Sequence, residues 1–248
     1  MVISHKYKYL FIQLDKTAST AIAKELVENY GGQPTLWKHA RYEDFMKVAS
    51  PEEKKYFIFS GIRNPLDVVV SYYHYFKNGG NREYTLNNKK YIYIKEKNAT
   101  FVEYFKRFHA NEIYREWKMK NFDKLNYIYR YENIEEDFAA ALKMLKIAQK
   151  RGLPIFNRTE GKRENYELYY TPEIQGMAKI VFNEFMKEWD YKFPENWRGP
   201  NFKEKYILRP TLYLKLFLKK IAHSIIDSPA IYKKFYGFKT TKKDSHIS

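Results

Sequence analysis

The sequence predicts an α/β protein with a central parallel sheet, because strand-like stretches alternate along it with helical patterns. Three stretches are rich in β-favouring residues, at residues 9–12, 56–62 and 126–131. Each is followed by a segment with apolar residues at helical spacing. Strands that alternate with helices favour parallel pairing, and such sheets bind ligands at the carboxyl ends of their strands.

The helices after the first two strands have clear start and end signals. The apolar face of the first consists of Ile22, Leu26 and Val27. Gly31 and Gly32 are expected to end it. In the second helix Asn64 is the expected N-cap, and Pro65 takes the first helical position. The buried stripe of this helix consists of Leu66, Val69, Val70 and Tyr73.

The remaining elements are assigned from shorter patterns. We expect helices at residues 42–48, 100–108 and 134–149, and a longer one that begins at Thr171 and Pro172. Residues 78–97 are polar and rich in tyrosine, and they are expected to form a long loop or a weak hairpin.

Composition narrows the possible chemistry and partners. The chain has no cysteine, which excludes disulfides, thiolate metal ligands and thiolate nucleophiles. It shows no signal-peptide pattern and no apolar stretch of about 18 residues, so we expect a cytoplasmic protein without a transmembrane helix. The formal net charge of +16 implies an anionic partner, which the charge alone leaves open among nucleotide, nucleic acid, acidic glycan and membrane surface.

The first strand-to-helix junction has the residues of an anion site. Lys16, Thr17, Ala18, Ser19 and Thr20 lie between the strand and the helix. The N–H groups at a helix start are unpaired and partly positive, and a lysine and three hydroxyls add to them. The pattern is not a Walker A loop, which needs glycines at positions 10 and 15. The alternative is an ordinary turn with a solvated lysine.

The second strand-to-helix junction offers an arginine and a serine. Arg63 ends the strand, and Ser71 lies on a helix stripe opposite the buried one. We expect Ser71 to be exposed on the same side as Arg63, where the two would hold a second phosphate through the planar arginine fork. The alternative is a surface arginine beside an incidental serine.

With these two segments the chain resembles the sulfotransferases that use 3′-phosphoadenosine 5′-phosphosulfate (PAPS). The likeness extends over about residues 8–194 and includes residues 131–138 and 169–194. It implies a single-domain three-layer sandwich with a central parallel β-sheet, the P-loop NTPase-like sulfotransferase architecture. It also implies that residues 16–20 bind the 5′-phosphosulfate and that Arg63 and Ser71 bind the 3′-phosphate.

The resemblance further suggests roles in catalysis. Lys16 would neutralise the leaving phosphate, and His39 is the candidate base at the end of an expected extended run, with Glu43 or Asp44 as alternatives. Lys162 and Arg163, in a basic loop that starts at residue 158, would close over the 3′-phosphate. His74 and His109 are expected to be packing or surface residues. No metal is implied, since no metal-binding histidine spacing occurs.

The sequence predicts two parts of the chain, a main domain and a C-terminal extension. We expect residues 1–200 to form the sulfotransferase domain and residues 201–248 to add a basic amphipathic helix and a tail. The helix has Leu214, Phe217, Leu218, Ile221 and Ile225 on one face and Lys215, Lys219 and Lys220 on the other. It is expected to pack on the domain, although its lysines also suit a membrane surface.

The acceptor is expected to be a hydroxyl of a carbohydrate, because basic and tyrosine-rich loops suit sugars. The rival functions are a P-loop-type nucleotide kinase and a basic nucleic-acid-binding protein without catalysis. The kinase is disfavoured by the missing Walker glycines, and nucleic acid is not the expected partner. The sequence leaves the oligomeric state open.

Overall fold

In the computed structural model, the residues described are 1–80, 87–115, 121–154, 161–163 and 165–226. Residues 81–86, 158–160 and 227–248, on which parts of the predicted loops and tail fall, lie outside them. No helix among the described residues is long and apolar enough to cross a membrane.

A five-stranded mixed sheet forms the centre of the described chain. Its strands are β1 (Val2–Ser4), β2 (Tyr9–Phe11), β3 (Gln33–Pro34), β4 (Phe57–Ile62) and β5 (Tyr127–Arg130), in the order β3-β1-β2-β4-β5. The neighbours β2, β4 and β5 pair in parallel, whereas β1 is antiparallel to both β2 and β3. The predicted α/β class and the three predicted strands are confirmed.

The two short strands β1 and β3 were not predicted from the sequence. Each has two or three residues, too few to show the alternation that marks a strand. Val2 and Ile3 are nonetheless buried, because β1 pairs along the edge of β2.

Eight α-helices surround the sheet in the described ranges. They are α1 (Ser19–Asn29), α2 (Tyr42–Val48), α3 (Pro65–Lys77), α4 (Lys89–Lys97), α5 (Phe101–Phe108), α6 (Ile134–Met144), α7 (Pro172–Glu188) and α8 (Arg209–Ile226). A π-helical turn, Glu204–Leu208, leads into α8.

The core shows the three layers that the sequence predicts. Alternate strand residues point to opposite faces of the sheet. One face buries Tyr9, Phe11, Phe59 and Tyr129 against α1 and α6. The other buries Leu10, Ile12 and Ile58 against the region of α2. A further cluster joins α3, α4, α5 and α7, with Leu212 of α8 at its margin.

Three details differ from the predictions. Residues 89–97 form α4, capped by Asn88, where a loop or weak hairpin was expected. The predicted helix 134–149 ends at Met144, and Lys146 adopts a left-handed φ of 57° just beyond that end. Val27 is 38% exposed, so the buried face of α1 is narrower than predicted.

The C-terminal helix also differs, in the face that it buries. The predicted apolar face is exposed at Leu214, Phe217, Leu218 and Ile221, and α8 packs on the domain through Leu212 instead. The pattern could not show which apolar side would meet the domain, because Leu212 and Leu216 form a second apolar row.

Candidate functional site

The chain between β2 and α1 is folded as an open helix start. Lys16 and Ala18 adopt left-handed φ values of 63° and 57°, which non-glycine residues seldom do. Ala18 is the N-cap of α1 and its side chain caps nothing. The Ala21 N–H donates to the Ala18 carbonyl at 2.9 Å, so the N–H groups that the helix start leaves for a bound anion are those of Ser19 and Thr20. We call residues 15–20 the Lys16 loop.

Two hydroxyls of the Lys16 loop point into the protein. Thr17 Oγ1 and Ser19 Oγ both donate to the Leu14 carbonyl, at 3.0 and 2.6 Å. Tyr129 at the end of β5 donates to the Thr17 carbonyl at 2.9 Å. These hydroxyls thus hold the loop in shape. The groups left to meet an anion are the N–H groups of Ser19 and Thr20, the Lys16 ammonium and the exposed Thr20 hydroxyl.

The Lys16 ammonium lies against two aromatic rings of α3. Its Nζ is 4.2 Å from the ring centroid of Tyr75 and 5.3 Å from that of Tyr72. Burial lowers the pKa of Lys16 to about 8, with Asp15 opposing and Arg63 adding to the shift. Lys16 is therefore still mainly cationic at neutral pH, and a bound anion would favour that form further.

His39 lies beside the Lys16 loop in a pair with Asp15. Its Nε2 is 2.9 Å from Asp15 Oδ1, and its Nδ1 is 3.0 Å from the Gln13 carbonyl. The other carboxylate oxygen, Asp15 Oδ2, accepts from Tyr72 at 2.8 Å. The expectation that His39 ends an extended run is wrong, because it lies in a turn between β3 and α2. The tertiary contact with Asp15 brings it to the site.

The second junction contains a buried ion cluster. Arg63 donates from Nε and Nη2 to Asp67 Oδ2, at 2.8 and 2.5 Å, and from Nη1 to the Lys16 carbonyl at 2.8 Å. Lys162 forms an ion pair with the other oxygen, Asp67 Oδ1. The guanidinium also stacks on Tyr131, 3.7 Å from the ring centroid. We call Arg63, Asp67 and Lys162 the Arg63 cluster; two cations around one carboxylate leave it with one net positive charge.

Ser71 shares the stripe of the Arg63 cluster, but it is buried. Its exposure is 3%, so the expectation of an exposed stripe is wrong. Residues 162–163 and 165–170 pack over this side of α3: the amide of Asn64 donates to the Tyr166 hydroxyl at 2.9 Å, and Tyr170 donates to the Leu66 carbonyl at 2.9 Å. Lys162 lies within this cover. Arg163 is exposed, and only its backbone N–H is fixed, by Tyr169.

The other titratable candidates serve the fold. His74 and His109 are held in the core region, where burial lowers their pKa values to about 4 and about 3. Asp44 caps α2 by accepting from the Arg41 N–H at 2.9 Å. Glu43 Oε1 accepts from Asn121 at 2.8 Å. In the described ranges no group of three or more His, Asp or Glu side chains could hold a metal ion.

The structure therefore unites most of the predicted site residues and adds four more. Arg63 joins the two predicted segments directly, through its hydrogen bond to the Lys16 carbonyl. Sequence reasoning missed the roles of Asp15, Asp67, Tyr72 and Tyr75. The helical spacing of Arg63 and Asp67, four residues apart, was a usable signal for their pairing. The contact between Asp15 and His39 had no such local signal.

Comparison with known proteins identifies the family of the chain. The model of the sulfotransferase family matches residues 1–189. No curated protein matches the chain. Among solved structures, mouse sulfotransferase SULT7A1 complexed with PAP matches with a TM-score of 0.45 and 15% sequence identity, over 90% of this chain and 91% of that chain.

Proposed function

The chain belongs to the sulfotransferase family, and from that premise we propose that it transfers the sulfuryl group of PAPS to a hydroxyl of a carbohydrate. The observation that carries the proposal is the position of the Lys16 ammonium. Lys16 comes two residues before the N-cap of α1, its ammonium lies against Tyr72 and Tyr75 of α3, and Arg63 donates to its carbonyl from a second cationic site. A nucleotide with phosphates at both its 5′ and 3′ ends would use two such anion sites.

The Lys16 loop fits the reacting end of PAPS. The N–H groups of Ser19 and Thr20 would hold the 5′-phosphate, and the Lys16 ammonium would face the oxygen between phosphorus and sulfur. In the reaction the acceptor oxygen bonds to sulfur while the bond from sulfur to the phosphate oxygen breaks. Lys16 then neutralises the negative charge that develops on that oxygen, and adenosine 3′,5′-bisphosphate (PAP) leaves.

The Arg63 cluster fits the 3′-phosphate. Asp67 already neutralises part of its charge, so the cluster offers one net positive charge and the guanidinium N–H groups not bound to Asp67 or Lys16. Because these contacts are the same before and after sulfuryl transfer, the cluster would contribute to nucleotide affinity and little to the rate.

His39 would take the proton of the acceptor hydroxyl. A neutral imidazole carries one N–H. With that N–H held at Nε2 by Asp15, Nδ1 carries the lone pair, and it lies 3.0 Å from the Gln13 carbonyl oxygen. To take the proton, the ring would turn Nδ1 from this carbonyl towards the acceptor hydroxyl while Asp15 holds Nε2. Asp15 is thus a positioning residue for the base, as the carboxylate is in a Ser-His-Asp triad.

One exposed and two half-buried aromatic rings near the site support a carbohydrate acceptor. Trp37 is 59% exposed two residues from His39, and the rings of Tyr72 and Tyr75 border the Lys16 ammonium. Aromatic faces of this kind can stack on sugar rings. Labelled PAPS offered to pooled glycans, and in parallel to phenols and steroids, tests the acceptor: sulfated glycan is the expected product, and label in the phenol or steroid pool alone would contradict it.

Thermal stabilisation tests the nucleotide. A ligand that binds only the folded state raises its stability by about 2.7 kcal/mol at a hundredfold excess over the dissociation constant. We expect PAP to raise the melting temperature clearly, and ATP with Mg²⁺ or an oligonucleotide to raise it little. Stabilisation by ATP with Mg²⁺ in place of PAP would favour a kinase, and stabilisation by oligonucleotide alone would favour a nucleic-acid-binding protein.

A further inference from the structure

Exposed large hydrophobic side chains are concentrated near the C-terminal end of the described chain. Thirteen such side chains are exposed among the described residues, and seven of them lie between residues 202 and 221. They are Phe202, Tyr206, Ile207, Leu214, Phe217, Leu218 and Ile221. Isolated exposed apolar residues are ordinary, whereas a concentrated group marks an interaction surface.

Four of these residues form a continuous stripe on α8. Leu214, Phe217, Leu218 and Ile221 follow the spacing i, i+3, i+4, i+7, which places them on one face of the helix. Their exposures are 58%, 59%, 55% and 40%. Leu212, which packs on the domain, is 1% exposed and lies on another face. We call these four residues the α8 stripe.

The α8 stripe rests on a fixed support. Before the helix begins, Arg198 pairs with the buried Glu204 at 2.7 Å. Within the helix, Tyr213 donates to Glu184 of α7 at 2.5 Å, and Lys219 pairs with Glu112 at 2.9 Å. These contacts hold one side of α8 to the domain, so the opposite side is presented outward as a surface of the folded protein.

The charge of the same segment points to one kind of partner. Residues 205–226 contain five basic residues and no aspartate or glutamate. The basic residues are Lys205, Arg209, Lys215, Lys219 and Lys220. An apolar face with lysines and arginines on the rest of the helix is the composition of helices that lie in the interface of anionic membranes. Pairing with the same face of a second copy would bring two basic segments together, in which Glu112 neutralises Lys219 alone among the described side chains.

We propose that α8 docks the protein on the surface of an anionic phospholipid membrane. The helix lies in the plane of the membrane, with the α8 stripe among the lipid headgroups and acyl chain ends. The exposed Lys205, Arg209 and Lys215 are attracted to the lipid phosphates, while Lys219 keeps its pair with Glu112. The proposal does not depend on the proposed sulfuryl transfer, because none of these residues belongs to the site around Lys16.

Vesicle co-sedimentation of the full chain tests the proposal. We expect binding to vesicles that contain about a third phosphatidylserine, little binding to vesicles of phosphatidylcholine alone, and a decrease as salt screens the charges. The double variant F217E/L218E should reduce the bound fraction on anionic vesicles at least about tenfold, since it removes two apolar contacts and adds repulsion. Its matched control is V48E/M144E, which adds the same charges at positions 67% and 54% exposed on other helices.

The remaining outcomes overturn the proposal. Equal loss of binding in F217E/L218E and V48E/M144E would show that net charge alone drives association. Absence of binding to anionic vesicles would show that the α8 stripe has another occupant. A concentration-dependent dimer in analytical ultracentrifugation that F217E/L218E dissociates, without vesicle binding, would identify that occupant as a second copy. PAP binding and circular dichroism should be unchanged in both variants, which excludes misfolding as the cause.

Discussion

The Lys16 loop and the Arg63 junction occupy equivalent places, at the ends of the adjacent parallel strands β2 and β4, yet they are built in opposite ways. At Lys16 the N-cap side chain makes no cap, the nearby hydroxyls point inward, and the helix start is open. At Arg63 the helix start is closed: the Asn64 side chain accepts from the Leu66 N–H at 3.0 Å, and Glu132 accepts from the Asn64 N–H at 2.7 Å.

The two junctions also differ in how far their positive charges are neutralised by neighbouring groups. The Lys16 ammonium has aromatic rings as its near neighbours, together with the adjacent Asp15, and burial makes its charge costly. The Arg63 guanidinium is already paired with Asp67. An open, undercompensated site suits charge that develops during a reaction, whereas a closed and largely neutralised site suits a phosphate whose charge stays constant. The difference in capping therefore predicts that the Lys16 loop mainly determines the rate of transfer and that the Arg63 cluster mainly determines the affinity for the nucleotide.

The largest effect is expected for Lys16→Ala. It should lower kcat by about a hundredfold to a thousandfold, the usual loss for removing one group that stabilises developing charge. PAP affinity, measured by calorimetry, should fall far less. In the native enzyme kcat/KM should decline as pH rises above about 8, because the required cationic form of Lys16 is lost there. Near-native turnover of the variant would remove Lys16 from the reaction.

The next largest effect is expected for His39→Ala. Loss of the general base should lower kcat by about a hundredfold, and PAP binding should be unchanged. Steady-state rates and calorimetry measure the two quantities. A variant with an unchanged rate and pH profile would transfer the role of base to Glu43 or Asp44, and the same measurements on Glu43→Gln and Asp44→Asn would then decide between them.

The Arg63 junction should show the opposite division between rate and affinity. Arg63→Ala should weaken PAPS binding by about tenfold to a hundredfold, since a charge-assisted bond is worth about 1.5–3 kcal/mol. Binding of adenosine 5′-phosphosulfate, which lacks the 3′-phosphate, should hardly change. Ser71→Ala should show the same selectivity on a smaller scale.

Stability data separate this role of Arg63 from a structural one. Arg63→Ala leaves the buried Asp67 with Lys162 as its remaining cation, so urea unfolding should show a loss of about 3 kcal/mol. The double variant Arg63→Ala with Asp67→Asn should regain part of that stability while keeping the loss of PAPS affinity. Equal loss of both nucleotides would mean that Arg63 supports the fold or the Lys16 loop.

A smaller effect is expected for Asp15→Asn. The amide oxygen can still accept from His39 Nε2, but it lacks the charge that stabilises the imidazolium, so kcat should fall about tenfold. KM for PAPS should be unchanged, and Asp15→Glu should restore part of the rate. Tyr72→Phe, which removes the hydroxyl at Asp15 Oδ2, is the matched control and should change kcat less. A rise in KM with constant kcat would contradict the positioning role.

The local parts of this comparison were predictable from the sequence, and the tertiary parts were not. The cap at Asn64, the strand before Lys16 and the start of α7 each depend on a few neighbouring residues, and all three were predicted. Ser71 was assigned to the wrong environment because the chain that covers its side of α3, around Tyr166 and Tyr170, comes nearly a hundred residues later in the sequence. The pair of Asp15 and His39 likewise depends on where a turn without regular structure is placed.

The smallest effect concerns the loop that covers the Arg63 junction, where the sequence offered Lys162 and Arg163 as equivalent. The structure separates them: Lys162 pairs with Asp67, and burial lowers its pKa, whereas the Arg163 side chain is exposed.

Lys162→Ala should therefore weaken PAPS binding by about threefold to tenfold, and the matched control Arg163→Ala should leave it unchanged. The effect should be below that of Arg63→Ala, because the Lys162 variant keeps the guanidinium N–H groups of Arg63 that donate to the phosphate. Calorimetry with PAPS and adenosine 5′-phosphosulfate measures both variants. Equal losses in Lys162→Ala and Arg163→Ala would mean that the overall positive charge of the loop, rather than a specific contact of Lys162, attracts the 3′-phosphate. The Arg63 cluster would then not be a defined phosphate site that contrasts with the Lys16 loop.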